Sequence, residues 1–484
     1  MLKIDLTDSE IVLCENITGG VFSPSDKVTF ENLPNFHRFV VHSKPSEKSF
    51  IKTEVWLPED WNGLFLGTGN GGLGGSIMYE ALDIYVRLGY AVANTDLGTS
   101  RGTKSGFNNP ELWKDYGWRA TYLMTVCAKA IIKEFYGKAP DYSYFLGGST
   151  GGQQAHSLAQ RFPKEYNAIF AGVHANNRTH VHTYFLWNFI SAHNSKGEAL
   201  FTPDDVLKIY NCAVKFHQLR GDGEKGDDFV SCPVTSRKDI AEFVNFVSEQ
   251  IPEYTKEQLE ALLKIYLGPV NPVTKKQIYS GMPIGSEIYH AGLGDAISDQ
   301  PPHNFITKWV FGVDFKPETF NFSSDMDEVN SVLSADLNAN NPDLTEFYKN
   351  GGKFLAVCGT ADACVPFQDA INYYSRVKKC MGEDVVNSFY RCYIMPGKEH
   401  GVIGRGTNVF WRTTEGGGAV DILRHWVEKG EAPDMLYAVG FNGRKAENGI
   451  KFKREVYPVD NPNSSFSIKE LNQIPLCDDE YLNL

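Results

Sequence analysis

The stretch YSYFLGGSTGGQQAHSLAQRF (residues 142–162) decides how the rest of the chain is interpreted. It predicts a short apolar strand at 142–146, a glycine-rich turn, and a helix that Pro163 closes. The turn contains Gly147-Gly148-Ser149-Thr150-Gly151, a G-x-S-x-G motif placed between a strand and a helix. In a chain with 45 glycines the bare motif also fits a glycine-rich turn before an ordinary helix. Because the strand and the helix supply the required context, we predict that Ser149 is a nucleophile on a sharp turn.

Composition and charge exclude several classes of protein. The chain has 484 residues, of which 42% are hydrophobic and 22% charged, as in an ordinary folded protein. Its net charge of -12 argues against a nucleic-acid partner, and it contains no run of 18 apolar residues that would span a membrane. The start, MLKIDLTDSE, lacks the basic and apolar segments of a secretory signal, and nine scattered cysteines do not form a disulfide framework. We therefore expect a cytoplasmic protein.

Motifs for bound metals and cofactors are weak. The sequence contains no C-x-x-C pair and no H-E-x-x-H helix, so we expect no zinc. The loop that begins at Gly67 and Gly69 invites a dinucleotide-binding interpretation, but no strand with an acidic ribose partner follows at the usual distance. We expect no cofactor.

Predicted strands and helices alternate before residue 178 and again after residue 342. Such alternation builds a parallel sheet with helices on both faces, and it predicts an α/β fold. Residues 38–55 alternate polar and apolar side chains and predict an additional antiparallel pair of strands. The other predicted strands lie at 63–67, 90–95, 142–146, 166–172, 353–358 and 389–395, and the helices at 78–88, 118–136 and 419–433.

Residues 178–342 interrupt the alternation. Helical segments such as TPDDVLKIYNCAVKFHQL alternate there with loops rich in Gly, Pro and Asn, and strand signals nearly vanish. We predict a helical lid, 178–342, inserted between the two parts of one α/β domain, 1–177 and 343–484. An independent helical domain is the alternative.

A serine nucleophile requires a base and an acid, and in the α/β-hydrolase fold their chain order is Ser, Asp or Glu, then His. Asp362 follows a predicted strand in GTADACVP, and His400 follows another in PGKEHG. We predict these two residues as the acid and the base. Three other carboxylates compete for the role of acid: Asp369, Asp384 and Glu399.

The oxyanion formed during acyl transfer requires two hydrogen-bond donors already in place. One is predicted to be the backbone N–H of Thr150, the residue after the nucleophile. The second is expected from the loop at 68–72, where we predict Gly71 and keep Asn70 and Gly72 as alternatives.

Beyond these motifs, the chain resembles the tannase/feruloyl esterase family of α/β-hydrolases. The resemblance covers most of the chain and rests on WLPEDWNGLFLGTGNGG (56–72), the serine motif, PIGSE (283–287), GGKFLAVCGTADACVPFQDAINYYSRV (351–377) and HWVEKGEAPD (425–434). It implies Ser149, Asp362 and His400 as nucleophile, acid and base, together with a lid that binds an aromatic acyl group.

The chain departs from this family at two places. The family typically has a cysteine before the serine and another after the histidine, joined in a disulfide, but Gly148 and Gly401 stand at these positions here. The family's lid also tends to hold calcium. The nearest counterpart, with Asp222, Asp227 and Asp228, lacks the spacing of that site, and we interpret it as a solvated acidic loop.

The resemblance and the motifs together predict a serine esterase that cleaves small esters of hydroxylated aromatic acids, galloyl or hydroxycinnamoyl, through an acyl-enzyme. An acyltransferase on the same scaffold is one alternative. An inactive binding protein is another, suggested by the missing cysteines. Phe185, Trp187 and Trp309 are candidates for an acyl pocket, although aromatic residues at such spacing also fill cores.

Overall fold

The computed structural model describes residues 4, 6 and 8–466, in which strands and helices alternate over much of the chain. Within these residues the strands are β1 (Ser9–Ile17), β2 (Phe22–Ser25), β3 (Val28–Phe30), β4 (Phe36–Ser43), β5 (Ile51–Pro58), β6 (Leu64–Thr68), β7 (Ala91–Thr95), β8 (Tyr142–Gly148), β9 (Ala168–Gly172), β10 (Lys353–Gly359), β11 (Tyr390–Met395), β12 (Val409–Trp411), β13 (Leu436–Phe441) and β14 (Ile450–Val456).

The helices include every one that the sequence predicts outside the inserted segment. In the described part of the chain they are α1 (Tyr79–Val86), α2 (Pro110–Lys114), α3 (Ala120–Tyr136), α4 (Thr150–Arg161), α5 (Arg178–Ser191), α6 (Pro203–Arg220), α7 (Arg237–Gln250), α8 (Lys256–Leu267), α9 (Leu293–Ala296), α10 (Phe305–Phe311), α11 (Ser324–Leu337), α12 (Thr345–Lys349), α13 (Phe367–Met381), α14 (Glu383–Phe389) and α15 (Ala419–Lys429).

The chain divides into two compact units. The first runs to Asn176 and also includes Trp309–Val313 and Ala335–Leu355. The second comprises Asn177–Lys308, Asp314–Ser334 and the chain from Ala356 onward. The division into an α/β domain with a lid at 178–342 remains a prediction.

The first unit is built on a mixed sheet with the strand order β1-β4-β5-β7-β6-β8-β9. Strands β7, β6, β8 and β9 are parallel, as their alternation with helices predicts. Strands β1, β4 and β5 extend the sheet in antiparallel fashion, and the pairing of β4 with β5 confirms the strand pair predicted at 38–55. All residues of β6 and β7 are buried, as expected for parallel strands covered on both faces.

The second unit is mainly helical between 178 and 308, as the sequence predicts. Its long helices begin with strong local signals, because Thr202 and Thr255 each form a capping box at the start of α6 and α8. The end of β10 and the adjacent β11 belong to this unit, as does the antiparallel sheet β12-β13-β14. That three-stranded sheet was not predicted from the sequence. Among the residues that the structure describes, no helix combines the length and the apolar character needed to cross a membrane.

Candidate active site

Ser149 lies at the junction of β8 and α4 in the first unit, on a turn with an unusual backbone. Its φ of 59° and ψ of -117° lie outside the regions that a side-chain-bearing residue ordinarily adopts. Hydrogen bonds hold both backbone groups: the Ser149 N–H donates to the Gly172 carbonyl (2.9 Å), and its carbonyl accepts from Gln153 (3.1 Å) and Ala175 (3.2 Å). Side-chain-bearing residues keep such a conformation where the surroundings impose it, typically at functional sites.

The glycines around Ser149 are needed for close approach of backbones. A Cβ on Gly147 would lie 2.1 Å from the Gly151 carbonyl oxygen, and a Cβ on Gly69 would lie 2.5 Å from the Cα of Gly151. Gly148 is different, because the nearest atom to a Cβ there, the Gly172 carbonyl oxygen, is 3.7 Å away. Gly147, Gly69 and Gly151 therefore shape the turn, whereas a Cβ at position 148 would make only ordinary van der Waals contacts.

The loop at 68–72 is tied to the first turn of α4. The Gly151 N–H donates to the Asn70 carbonyl (2.7 Å), and the Thr150 hydroxyl donates to the Gly72 carbonyl (2.7 Å). The Asn70 N–H donates to the Oε1 of Gln154 (2.8 Å) and is therefore already engaged. Of the predicted oxyanion donors, Thr150 and Gly71 both lie in this anchored region, and Gly71 is exposed between the two anchors. Their role stays a prediction.

Asp362 and His400 meet in the second unit. The Nδ1 of His400 lies 2.9 Å from Oδ2 and 3.1 Å from Oδ1 of Asp362. Asp362 is fully buried, and its Oδ1 also accepts hydrogen bonds from the backbone N–H groups of Cys364 and Val365, both at 2.9 Å. The carboxylate is therefore held in one orientation, with the imidazole as its side-chain partner.

The two loops that carry this pair are joined directly to each other. The Gly397 N–H donates to the Thr360 hydroxyl (2.7 Å), and the Ala361 N–H donates to the Lys398 carbonyl (3.0 Å). A Cβ on Gly359 would lie 2.1 Å from that same Lys398 carbonyl oxygen, so only glycine permits this approach. The loops after β10 and β11 thus place Asp362 against His400.

The other carboxylates that the sequence leaves open have different surroundings. Asp369 is buried. Burial raises its pKa to about 6, although the charge of Arg376 acts to lower it. Asp384 is exposed on α14, and Glu399 accepts from the Ile403 N–H at 3.0 Å. Of these candidates, Asp362 is the one hydrogen-bonded to His400.

Opposing effects act on the pKa of His400. Burial lowers it, whereas the negative charges of Asp362 and Cys364 raise it, and the raising effects prevail. With Asp362 accepting at Nδ1, the neutral imidazole carries its proton there and Nε2 is the basic nitrogen. This is the tautomer that a general base for a hydroxyl requires.

A cluster of two further histidines and a cysteine lies beside this pair in the second unit. His290, His303 and Cys364 each offer one ligand atom, and these atoms all lie within 4.8 Å of one another. Burial raises the pKa of Cys364, but the charge of His400 and hydrogen bonds to all three imidazoles lower it well below its usual range. A hydrogen bond to Asp295, followed by one to Cys364, raises the pKa of His290 to about 10.

This cluster was not predicted from the sequence, from which no zinc was expected. Its members are separated along the chain, and motif searches detect ligands at short, regular spacing. Cys364, in the same GTADACVP stretch as Asp362, was the one available signal.

The acidic segment interpreted as a solvated loop is instead held by cationic side chains. Asp227 is buried and forms two hydrogen bonds with Arg454, at 2.6 and 2.7 Å. Asp228 pairs with Lys451 (2.6 Å), and Asp222 pairs with Arg220 (2.9 Å). The solvated interpretation is wrong for Asp227, because a partner remote in sequence allows the carboxylate to be buried.

The aromatic candidates for an acyl pocket pack into the protein. Phe185 and Trp309 are almost fully buried. The Trp309 indole donates to the Thr103 carbonyl (3.0 Å), and that of Trp187 donates to the Lys264 carbonyl (2.9 Å). Phe185 and Trp309 are therefore core side chains, whereas Trp187 is only partly buried.

Comparison with known proteins agrees with the α/β-hydrolase class that the sheet and the serine turn define. The family model for tannase and feruloyl esterase matches residues 38–459, and the chain belongs to this family. It is 28% identical to an uncharacterized esterase of Xanthomonas campestris, over 93% of this chain and 85% of that one. It is 27% identical to feruloyl esterase B of Aspergillus niger, over 91% and 86%.

Solved structures give the same result for the fold. Feruloyl esterase B from Aspergillus oryzae superposes with a TM-score of 0.81 at 25% identity, covering 96% of this chain and 97% of that one. A tannin acyl hydrolase from Aspergillus niger superposes with a TM-score of 0.73 at 19% identity, covering 99% and 94%. The protein is therefore a carboxylic ester hydrolase with the α/β-hydrolase fold.

Proposed function

We propose that this protein hydrolyses small esters of hydroxylated aromatic acids, galloyl or hydroxycinnamoyl, through an acyl-enzyme on Ser149. The backbone of Ser149 carries the proposal, because a serine at positive φ on a strand-to-helix turn presents its hydroxyl at a helix N-terminus. His400 acts as the base, and Asp362 orients it and stabilises its protonated form.

In the first half of the reaction, Oγ of Ser149 attacks the ester carbonyl while Nε2 of His400 takes the hydroxyl proton. The carbonyl oxygen becomes an oxyanion, which the N–H groups of Thr150 and Gly71 stabilise. The C–O bond to the alcohol then breaks, and His400 gives its proton to the departing oxygen. The products of this half are a free alcohol and an acyl group on Ser149.

In the second half, water takes the place of the alcohol. His400 removes a proton from the water as its oxygen attacks the acyl carbon, and the second tetrahedral intermediate uses the same oxyanion donors. The bond to Ser149 breaks, Oγ recovers the proton from His400, and the carboxylic acid leaves. Asp362 accepts the hydrogen bond from Nδ1–H of His400 throughout and stays ionised.

The aromatic acyl group is supported by the family and by the names of its members. A sequence relative and a solved structure that each match more than 90% of this chain are both named feruloyl esterase B. The family model itself joins tannase with feruloyl esterase. Both names refer to esters of hydroxylated aromatic acids. We therefore assign the substrate of this protein to that class.

The test compares Ser149→Ala with Ser157→Ala. Both serines are close in sequence, but Ser157 is a buried residue within α4. We expect Ser149→Ala to lower kcat/KM at least about 10⁴-fold and Asp362→Asn to lower kcat roughly 10³–10⁴-fold. Ser157→Ala should retain turnover. The substrates are methyl gallate, methyl ferulate, chlorogenate and p-nitrophenyl acetate.

Three outcomes would contradict the proposal. Full turnover by Ser149→Ala would show that Ser149 is not the nucleophile. Failure of a fluorophosphonate to label Ser149 stoichiometrically would indicate a binding protein. Ester products that form only when an alcohol acceptor is added would identify an acyltransferase instead of a hydrolase.

A further inference from the structure

Two imidazoles and one thiol converge in the second unit next to the Asp362–His400 pair. The Nε2 atoms of His290 and His303 are 3.0 Å apart, and Cys364 completes a group whose ligand atoms lie within 4.8 Å of one another. Cys364 is a free thiol. Zinc bound tetrahedrally by nitrogen and sulfur separates its ligands by about 3.3–3.6 Å, as follows from its bond lengths.

The outer surroundings also resemble those of a metal ligand. The Nδ1 of His290 faces Oδ2 of Asp295 at 3.4 Å, while its Nε2 points into the cluster. That carboxylate is itself held, because its Oδ2 accepts from the Ala291 N–H at 2.5 Å. A histidine that ligates metal usually donates its second N–H to such a carboxylate. Asp295 therefore orients His290 with Nε2 available for an ion.

We infer that His290, His303 and Cys364 form a binding site for a thiolate-preferring divalent ion of the zinc class, and that its occupancy inhibits ester hydrolysis. Two imidazoles and a thiolate favour such ions over calcium or magnesium, which require oxygen ligands. The His290 side chain is 50% exposed, whereas Cys364 is buried, so an ion enters from the side of His290. Three protein ligands leave a fourth position for water.

Inhibition follows from the position of Cys364. The ring centroids of His290 and His400 are 6.1 Å apart, and the backbone N–H of Cys364 holds Oδ1 of Asp362. An ion held by His290 and Cys364 places a positive charge close to an imidazole that must itself become positive during the reaction. The inhibition rests on the proposed function, whereas the binding of the ion does not.

Binding is tested without any substrate. The full chain, stripped with EDTA and kept reduced with a phosphine, is titrated with Zn²⁺ in a calorimeter and with Co²⁺ in a spectrophotometer. We expect one Zn²⁺ per chain and a thiolate-to-cobalt charge-transfer band. Cys364→Ser should abolish the band, and Asp295→Asn should weaken Zn²⁺ binding roughly 10–100-fold.

Control variants outside the cluster distinguish binding at this site from binding of the ion elsewhere on the protein. Cys14→Ser and His425→Ala remove a thiol and an imidazole outside the cluster and should leave the titrations unchanged. His303→Gln provides a second test of the cluster in case Cys364→Ser folds poorly, as judged by circular dichroism. The proposal is overturned if Zn²⁺ fails to saturate one site, or if His303→Gln binds like the unaltered protein.

The inhibitory effect has its own measurement. Ester hydrolysis should fall as one equivalent of Zn²⁺ is added and should return with EDTA, in the unaltered protein but not in His290→Ala. Zn²⁺ binding without loss of turnover would overturn the inhibition. If Ser149→Ala disproves the proposed mechanism, the cobalt spectrum still decides whether the ion binds.

Discussion

Single residues carry much of what is unusual in this protein. The positive φ of Ser149 costs about 1–3 kcal/mol, and hydrogen bonds from neighbouring strands and the helix hold the residue in place. Gly147 and Gly69 are required because a Cβ would collide with Gly151, whereas a Cβ at position 148 would make only ordinary contacts. The nucleophile turn therefore depends on backbone packing and does not depend on a cysteine at 148.

The buried carboxylate of Asp369 should make the free energy of unfolding depend on pH. Burial raises its pKa from 3.8 to about 6, so the folded state binds a proton that the unfolded state releases. This stabilising contribution, about 3 kcal/mol, is fully present below pH 3.8 and is lost as the pH rises through 6. Asp369→Asn keeps a neutral group there, so its free energy of unfolding, relative to the unaltered protein, should increase between pH 4 and 7.

Urea unfolding at several pH values measures this difference. Asp384→Asn is the control, because that aspartate is exposed on α14 and its replacement should leave the two stability curves parallel. An Asp369→Asn curve parallel to that of the unaltered protein would show that the buried carboxylate is not protonated near pH 6.

At the scale of elements, β4 and β5 are joined by a buried ionic network in addition to their backbone pairing. Glu54 accepts two hydrogen bonds from Arg38, at 2.6 and 2.9 Å, and one each from Trp56 and Tyr79. Burial raises the pKa of Glu54, but Arg38 and these donors outweigh it and hold the pKa below its usual range. Both carboxylate oxygens of Glu54 therefore accept hydrogen bonds.

Replacing this carboxylate should therefore destabilise the first unit. Glu54→Gln leaves Arg38 with a buried charge that has lost its main partner, and we expect a loss of about 3–5 kcal/mol in urea unfolding. Glu15 binds the same Arg38 at 2.8 Å, but its side chain is 37% exposed. Glu15→Gln should cost less than about 1 kcal/mol. Equal losses of free energy of unfolding in Glu54→Gln and Glu15→Gln would show that the burial of Glu54 does not determine how much its ion pair contributes.

At the scale of the whole molecule, the protein is stabilised by packing and hydrogen bonds. Cys127, Cys212, Cys364 and Cys392 are buried thiols, and Gly148 and Gly401 stand at the positions where the family resemblance implies a cysteine pair. We expect the unfolded, unreduced chain to show nine reactive thiols and a phosphine reductant to leave both turnover and Tm unchanged. Fewer than nine thiols, or a Tm that falls on reduction, would reveal a cross-link. Thiol titration and thermal unfolding measure the two quantities.

The sequence by itself determined the features that depend on neighbouring residues. The apolar run before Gly147, the glycines and the following helix identified the serine turn, because each constrains the backbone within a few residues. The same local patterns predicted β4, β5 and the parallel strands. They also placed Asp362 and His400 at strand ends in the order of the fold class.

The tertiary structure decided what depends on residues far apart in the chain. It selected Asp362 over Asp369 as the partner of His400, placed Arg454 against Asp227, and assembled the strands of the β12-β13-β14 sheet. It also brought the cluster of His290, His303 and Cys364 together from separate loops. No local periodicity encodes such contacts, because they form only when packing of the whole unit brings distant loops to the same place.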